Sequence, residues 1–389
     1  MSIKYTLNQD LNSGKDQNSP DEKNDGTIGG FYAELKGGKE PVELPVEARP
    51  ALMEVLEFAQ KPGDGLQPMI PGDGMDWVPS TDGPTKSIDS DNLEELMSHL
   101  NRDGESWLFT TLKVAFPQSL NDLPDALRED VEDPQADGLN PFQAFNSDQI
   151  SNTIKALNQW SDVSNVDFVL AGPEEQANIY FMGREYPESA SLSGQSTGVE
   201  EDGSLIKMNT ASTKWGSFDP GTPGFVTMMH EIGHSIGLNH PGDYDAGDNA
   251  EYETHAEYIQ DSDQFSIMSY FGTHETGASY SFEHIFTPRT HDIWVTQKLY
   301  GAEWSTRTDN TTYGYNATPD VQGTAFEFWP NGDAPHLTIW DAGGNDDTLD
   351  LSLDSSPVIL NLNAGTFSST HGAVMNISLA HGPDEATPL

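Results

Sequence analysis

The chain has 389 residues, with 18 Lys and Arg against 63 Asp and Glu, a formal net charge of −45, and no Cys. The missing cysteines exclude a disulfide framework, a thiolate metal site and a Cys nucleophile, and the charge argues against nucleic acid and anionic membrane surfaces as partners. With 35% hydrophobic residues, 8 Trp and 17 Phe, and no apolar run near the roughly eighteen residues that span a bilayer, the composition suits one or two domains with a real core.

The first thirty residues contain neither an apolar stretch nor a small-residue cleavage site, so no Sec-type signal is expected and the cytoplasm is the default address. The lack of Cys also suits oxidising surroundings or passage through a secretion channel. Residues 1–82 are rich in Gly, Pro, Asp and Asn and read as a largely flexible leader. Within it, Asp73 lies between Gly72 and Gly74, where a carboxylate on a turn could mask a metal.

Order is predicted from Ser90. Leu93, Leu96, Met97 and Leu100 fall at helical spacing, with Ser90 or Asp91 as cap and Gly104 as terminator. Leu108 to Phe116 alternates as a strand does. Asn146 and Ser147 open a helix whose face carries Ile150, Ile154, Leu157 and Trp160, and strand-like runs follow at Val166 to Leu170 and Ile179 to Met182. Further helices are predicted near Pro223 to Asn239 and Asp292 to Tyr300. Strands and helices in this order make an α+β core over residues 83–305. Short β-prone runs separated by Gly, Asn and Asp mark a small all-β region over residues 306–389.

Residues 230–240 read His-Glu-Ile-Gly-His-Ser-Ile-Gly-Leu-Asn-His. On a helix His230 and His234 stand one turn apart, about 6 Å along the axis and about 40° around it, so both imidazoles can reach one ion. Glu231 cannot share their face as a ligand, but it can reach a water beside the ion, the position of a general base. Gly237 can turn the chain in a left-handed conformation and bring His240 to the same ion. Three neutral imidazoles with one open position make a catalytic zinc site rather than a closed structural one. Downstream, Ser266-Ile267-Met268-Ser269-Tyr270 supplies the Met-containing turn that the longer motif demands.

Three segments, HEIGHSIGLNHPGDYDAG, QFSIMSYF and DIWVTQKLYGA, resemble the zinc helix, Met-turn and following helix of the metzincin metallopeptidases, within them the serralysin family of secreted bacterial proteases. The resemblance implies a metzincin catalytic domain, a twisted mixed sheet plus helices, and a secreted, extracellular zinc endopeptidase exported without an N-terminal Sec signal. It assigns His230, His234 and His240 as zinc ligands, Glu231 as catalytic acid/base, Met268 as the turn residue and Tyr270 as a switchable fifth ligand that helps hold the oxyanion. Protein or peptide substrates follow, with a monomeric enzyme and a proteinaceous inhibitor as a further candidate partner. The resemblance continues more weakly beyond residue 305, like the start of a β-roll domain, while the family's tandem calcium repeats do not occur in these 389 residues.

Other residues invite separate expectations. Asp292 is read either as a carboxylate orienting a ligand His or as a plain helix cap. His255, His274, His284 and His291 follow no ligand spacing and are read as loop or surface residues. Asp341, Asp346, Asp347 and Asp350 crowd hard oxygen donors into one Gly-containing turn suited to structural Ca²⁺. The rival function is a catalytically silent metzincin scaffold acting as a calcium-dependent binding protein or adhesin. A zinc hydrolase of a non-peptide bond is a third reading.

Overall fold

A computed structural model describes residues 4–7, 84, 86–88, 90–131, 141–172, 175–186, 192–245, 249–279, 285–329, 332 and 334–382. Apart from Lys4–Leu7 the leader, with its Asp73 turn, lies outside the described residues. So does His284.

The chain divides into two compact units. The larger comprises Pro68–Thr306, Asp333–Ala342 and Ser356–Leu389. It contains a five-stranded sheet of β1 (Thr111–Ala115), β2 (Asp167–Leu170), β3 (Ile179–Arg184), β4 (Gly194–Ser196) and β5 (Ser204–Asn209), in the order β2-β1-β3-β5-β4. Neighbours run parallel except β4, which pairs antiparallel with β5 and forms an edge, Gly194 opposite Met208 and Ser196 opposite Ile206.

Alternation along β3 divides the core in two. Phe181 faces a layer with Leu157, Trp160, Val226, Met229, Ile232 and Trp294. Its neighbours Tyr180 and Met182 face Leu123, Leu127 and Val131 on the other side of the sheet. The first layer is built from α1 (Ser147–Ser161), α2 (Pro223–Ser235) and α3 (Thr290–Tyr300). Asn146 caps α1 by accepting from the backbone of Asp148 and Gln149, as its sequence suggests. Thr222 caps α2 and Pro223 occupies its first turn, where a missing N–H costs nothing.

Several elements differ from their predicted bounds. The segment from Ser90 is 3₁₀ through Leu96, and only Met97–Leu100 is α-helical. The first strand begins at Thr111 rather than Leu108, whose side chain is 99% exposed. α2 stops at Ser235, before the expected Asn239, because Gly237 takes φ +98°. The Gly237 N–H then bonds the His234 carbonyl and the Leu238 N–H bonds that of Gly233, the paired closure that a left-handed glycine permits.

In the same unit Phe367–Ser368, Ile377–Leu379 and Leu337–Ile339 form a small sheet. Of the short β-prone runs, the one from Val358 to Phe367 contributes one bridge at Ile359 before Phe367 enters this sheet. Among the described residues the smaller unit comprises Lys4–Leu7 with those of Arg307–Gly332 and Gly343–Ser355. Its sheet places Asp347–Asp350 between Lys4–Leu7, antiparallel, and Thr312–Gly314, parallel. Among the described residues no helix is long and apolar enough to cross a membrane.

Candidate metal centre

Beneath an open cleft of about 680 Å³, the end of α2 and the chain beyond it bring three imidazoles together. The Nε2 atoms of His234 and His230 are 3.1 Å apart, those of His234 and His240 3.1 Å, and those of His240 and His230 3.3 Å. Each ring has its other nitrogen on a backbone carbonyl: His230 Nδ1 on Ile267 at 2.7 Å, His234 Nδ1 on Leu238 at 2.7 Å and His240 Nδ1 on Tyr244 at 2.8 Å. A carbonyl only accepts, so each Nδ1 carries the proton and each Nε2 presents a lone pair.

Burial, with the neighbouring His234, pushes His230 down to about 3. Burial also lowers His234, and burial with the two other imidazoles lowers His240. Three neutral rings therefore aim lone pairs at one point, an arrangement that repels unless a cation occupies it. Tetrahedral zinc with bonds of ~2.0–2.1 Å places ligand nitrogens ~3.4 Å apart, so the donor set fits that metal. Among the described residues no other group of three or more His, Asp or Glu gathers in this way.

Glu231 is buried beside the triad. Burial pushes its carboxyl up to about 8, with the Lys214 ammonium acting in the opposite direction. Tyr270, 40% exposed, lies at the cleft with its ring centroid 4.4 Å from that of His240 and 6.0 Å from that of His230. Met268 is fully buried under α2, where a side chain at Gly233 would come within 2.6 Å of its sulfur.

Two buried aspartates hold the Met268 turn. Asp292 accepts from Ser266 Oγ at 2.6 Å, Ile267 N at 2.9 Å and Arg289 N at 2.8 Å. It therefore closes the first turn of α3 and also reaches His230 indirectly, through the Ile267 backbone; it is neither a direct partner of a ligand His nor a plain N-cap. Asp261 accepts from Ser269 Oγ at 2.7 Å and from the Tyr244 hydroxyl at 2.9 Å, and the Tyr244 ring stacks on His240 at 5.6 Å. Burial raises Asp261 to about 7 despite these donors.

His255 and His274 stand apart from the triad, part-buried and exposed. His291 is a correction: it is 6% exposed, inside α3 and against Phe265, because that helix begins at Thr290, two residues before the expected start. The acidic run also departs from a single turn. Asp347 and Asp350 belong to a strand and are buried, accepting respectively from Thr311 N and from Asn316 Nδ2 and Ser352 N. Asp346 is exposed on the turn before that strand, whereas Asp341 belongs to the larger unit.

Sequence reasoning missed the brace behind His240. The Arg102 guanidinium donates to the carbonyls of His240 and Gly242. Asn101 Nδ2 donates to the Gly237 and Glu105 carbonyls at 2.7 and 2.8 Å. No local pattern marks two polar residues whose partners at Gly237, His240 and Gly242 lie more than 130 positions away.

Residues 302–384 match the family described as Peptidase M10 serralysin C terminal. Serralysin C of Dickeya chrysanthemi is 34% identical over 310 residues, covering 75% of this chain and 60% of that protein. The chain is serralysin-like. Metallopeptidase AprA of Pseudomonas marginalis is 36% identical over 258 residues, 63% of this chain and 52% of its own. Serralysin of Proteus mirabilis is 29% identical over 312 residues, 76% and 62% of the two chains. The serralysin-like chain thus spans about 60% of the length of such curated relatives.

Proposed function

We propose that this chain is a secreted zinc endopeptidase acting on proteins or peptides. Residues 1–82 are its leader, residues 83–305 its metzincin catalytic domain and residues 306–389 a β-rich region like the start of a serralysin β-roll. The observation that carries the reading is the convergence of three Nε2 lone pairs beside the buried Glu231 carboxylate.

In this reading His230, His234 and His240 hold the metal. Bound zinc lowers the pKa of water and polarises a scissile carbonyl. Glu231 takes the proton given up by the attacking water and passes it to the leaving amine nitrogen, acting as base and then acid. The Tyr270 phenol donates to the oxygen on which negative charge develops. The free edge of β4 pairs with substrate backbone, so that main chain rather than one side chain provides much of the recognition. Structural calcium is assigned to Asp346, Asp347 and Asp350, the carboxylates of the run that lie within one unit, and not to Asp341. The alternative of a silent binding protein is not favoured, since every proposed ligand and the base are present.

The test separates metal from turnover. Three histidines hold zinc without the carboxylate, so Glu231→Ala is expected to keep near-stoichiometric zinc and lose almost all hydrolysis of casein. Substantial residual proteolysis in that variant, with clean metal analysis, removes Glu231 from the mechanism. Absence of chelator-sensitive cleavage by the wild-type chain removes the peptidase reading itself.

A further inference from the structure

β4 is short and at a sheet edge, yet it is tied to α2 by side chains. Ser196 Oγ lies 2.9 Å from Ser235 Oγ, which lies 2.7 Å from Ser204 Oγ. Ser235 Oγ also donates to the Glu231 carbonyl at 3.1 Å. Ser204 and Ser235 are fully buried, so breaking this hydroxyl cluster would strand polar atoms away from water. The separation of strand and helix is therefore set at Ser196.

Two residues earlier on the same face of the strand stands Gly194, and one turn earlier on the same face of the helix stands Glu231. A methyl group at Gly194 would lie 2.8 Å from Glu231 Oε1, 2.9 Å from Glu231 Cγ and 3.0 Å from Met208 Sδ. Carbon contacts settle near 3.5–4.0 Å, so something must move. Gly194 is not among the glycines with positive φ, so backbone conformation does not explain its presence. Met208 can yield at its flexible end, but retreat of β4 would break the Ser196 tie. The remaining movement is rotation of Glu231.

We infer that Gly194 is a positioning residue, whose missing side chain, at a strand distance set by Ser196, holds the Glu231 carboxylate in its working place. The inference rests on the reading of Glu231 as acid/base. A displacement near 1 Å costs on the order of 100-fold in rate, so Gly194→Ala is expected to lower kcat about 10- to 100-fold, with KM within about threefold and zinc stoichiometry unchanged.

A thermal cycle on the full chain tests the contact without needing turnover. Gly194→Ala should lower Tm by about 3 °C or more when Glu231 is present. In the Glu231→Ala background, the same substitution should lose more than half of that effect. If Gly194→Ala alone does not fold, Gly194→Ala/Glu231→Ala must fold and bind zinc. An equal Tm penalty in both backgrounds, or a Gly194→Ala enzyme with wild-type kcat, overturns the inference. A chain without peptidase activity would defeat the functional reading while leaving the thermal cycle to judge the packing.

Discussion

Removing the Asp292 carboxylate should damage both stability and metal binding, by separable amounts. The side chain is fully buried and accepts from three donors, Ser266 Oγ, Ile267 N and Arg289 N, and the buried Arg289 cation adds a favourable charge interaction. Asp292→Ala leaves those three donors to find other partners and weakens the charge compensation of Arg289. Stranding buried donors and one partner of a charge pair points to a loss of about 3–5 kcal/mol. Asp292→Asn keeps one acceptor oxygen but turns an amide N–H₂ toward a donor, so its loss should be smaller.

The effect on metal follows from the next bond in the chain. The Ile267 backbone gives its N–H to Asp292 and, through the carbonyl of the next peptide group, accepts from His230 Nδ1, so loosening the backbone at Ile267 frees the first imidazole to rotate. Changes of this kind typically cost 10- to 100-fold in metal affinity. Urea unfolding of the metal-free protein and chelator competition for zinc should be run at pH 8. Burial raises Asp292 to about 6 in the fold, against about 3.9 in an unfolded chain. Its folded form thus binds the proton more tightly, and stability falls as pH rises from about 4 to about 6 and is level above that as far as this group is concerned. A stability loss under about 1 kcal/mol together with zinc affinity within twofold of wild type would refute the reasoning.

Two further expectations concern the cleft and the acidic run. Tyr270→Phe should lower kcat on the order of ten- to a thousandfold with a smaller change in KM, because the phenol is assigned to charge that develops only in the transition state; steady-state kinetics with unchanged kcat would leave Tyr270 a packing residue. At 10 mM CaCl₂ a millimolar calcium site should add about 1–2 kcal/mol of stability, seen as a rise in unfolding midpoint that 10 mM MgCl₂ does not reproduce. An equal rise with both salts would mean only screening of the −45 charge.

What could be read from the sequence is what short-range periodicity controls. α1 and α2 were legible because Asn146 and Thr222–Pro223 mark their starts and apolar residues recur at helical spacing along them. The two histidines one turn apart belong to the same class of signal, and Gly237 marked where the chain could turn toward His240, although the predicted helix ran past it to Asn239. β4 was not legible, since three residues at an edge carry no alternation to detect. His291 was misread for a related reason: once α3 is extended back to Thr290, a polar residue in its first turn becomes interior. The aspartates from Asp341 to Asp350 looked like one turn because composition does not reveal that a strand begins at Asp347 and buries both of its carboxylates, Asp347 and Asp350, while Asp346 before it stays exposed.

The deeper limit lies in how the imidazoles are aimed. Their orienting partners are the carbonyls of Ile267, Leu238 and Tyr244, and a carbonyl is the same whatever side chain its residue bears. The sequence constraint is displaced onto residues that hold the backbone around those carbonyls: Asp292 the Ile267 N–H, Gly237 the turn into Leu238, and Arg102 the carbonyls of His240 and Gly242 that precede Tyr244. None of these is a ligand, and two of them lie at least 60 positions from the histidine whose segment they hold, since Asp292 and Arg102 come from other elements. A three-histidine motif therefore specifies the donors, while the precision of their convergence is carried by a wider set of polar side chains whose function appears only when the chain is folded.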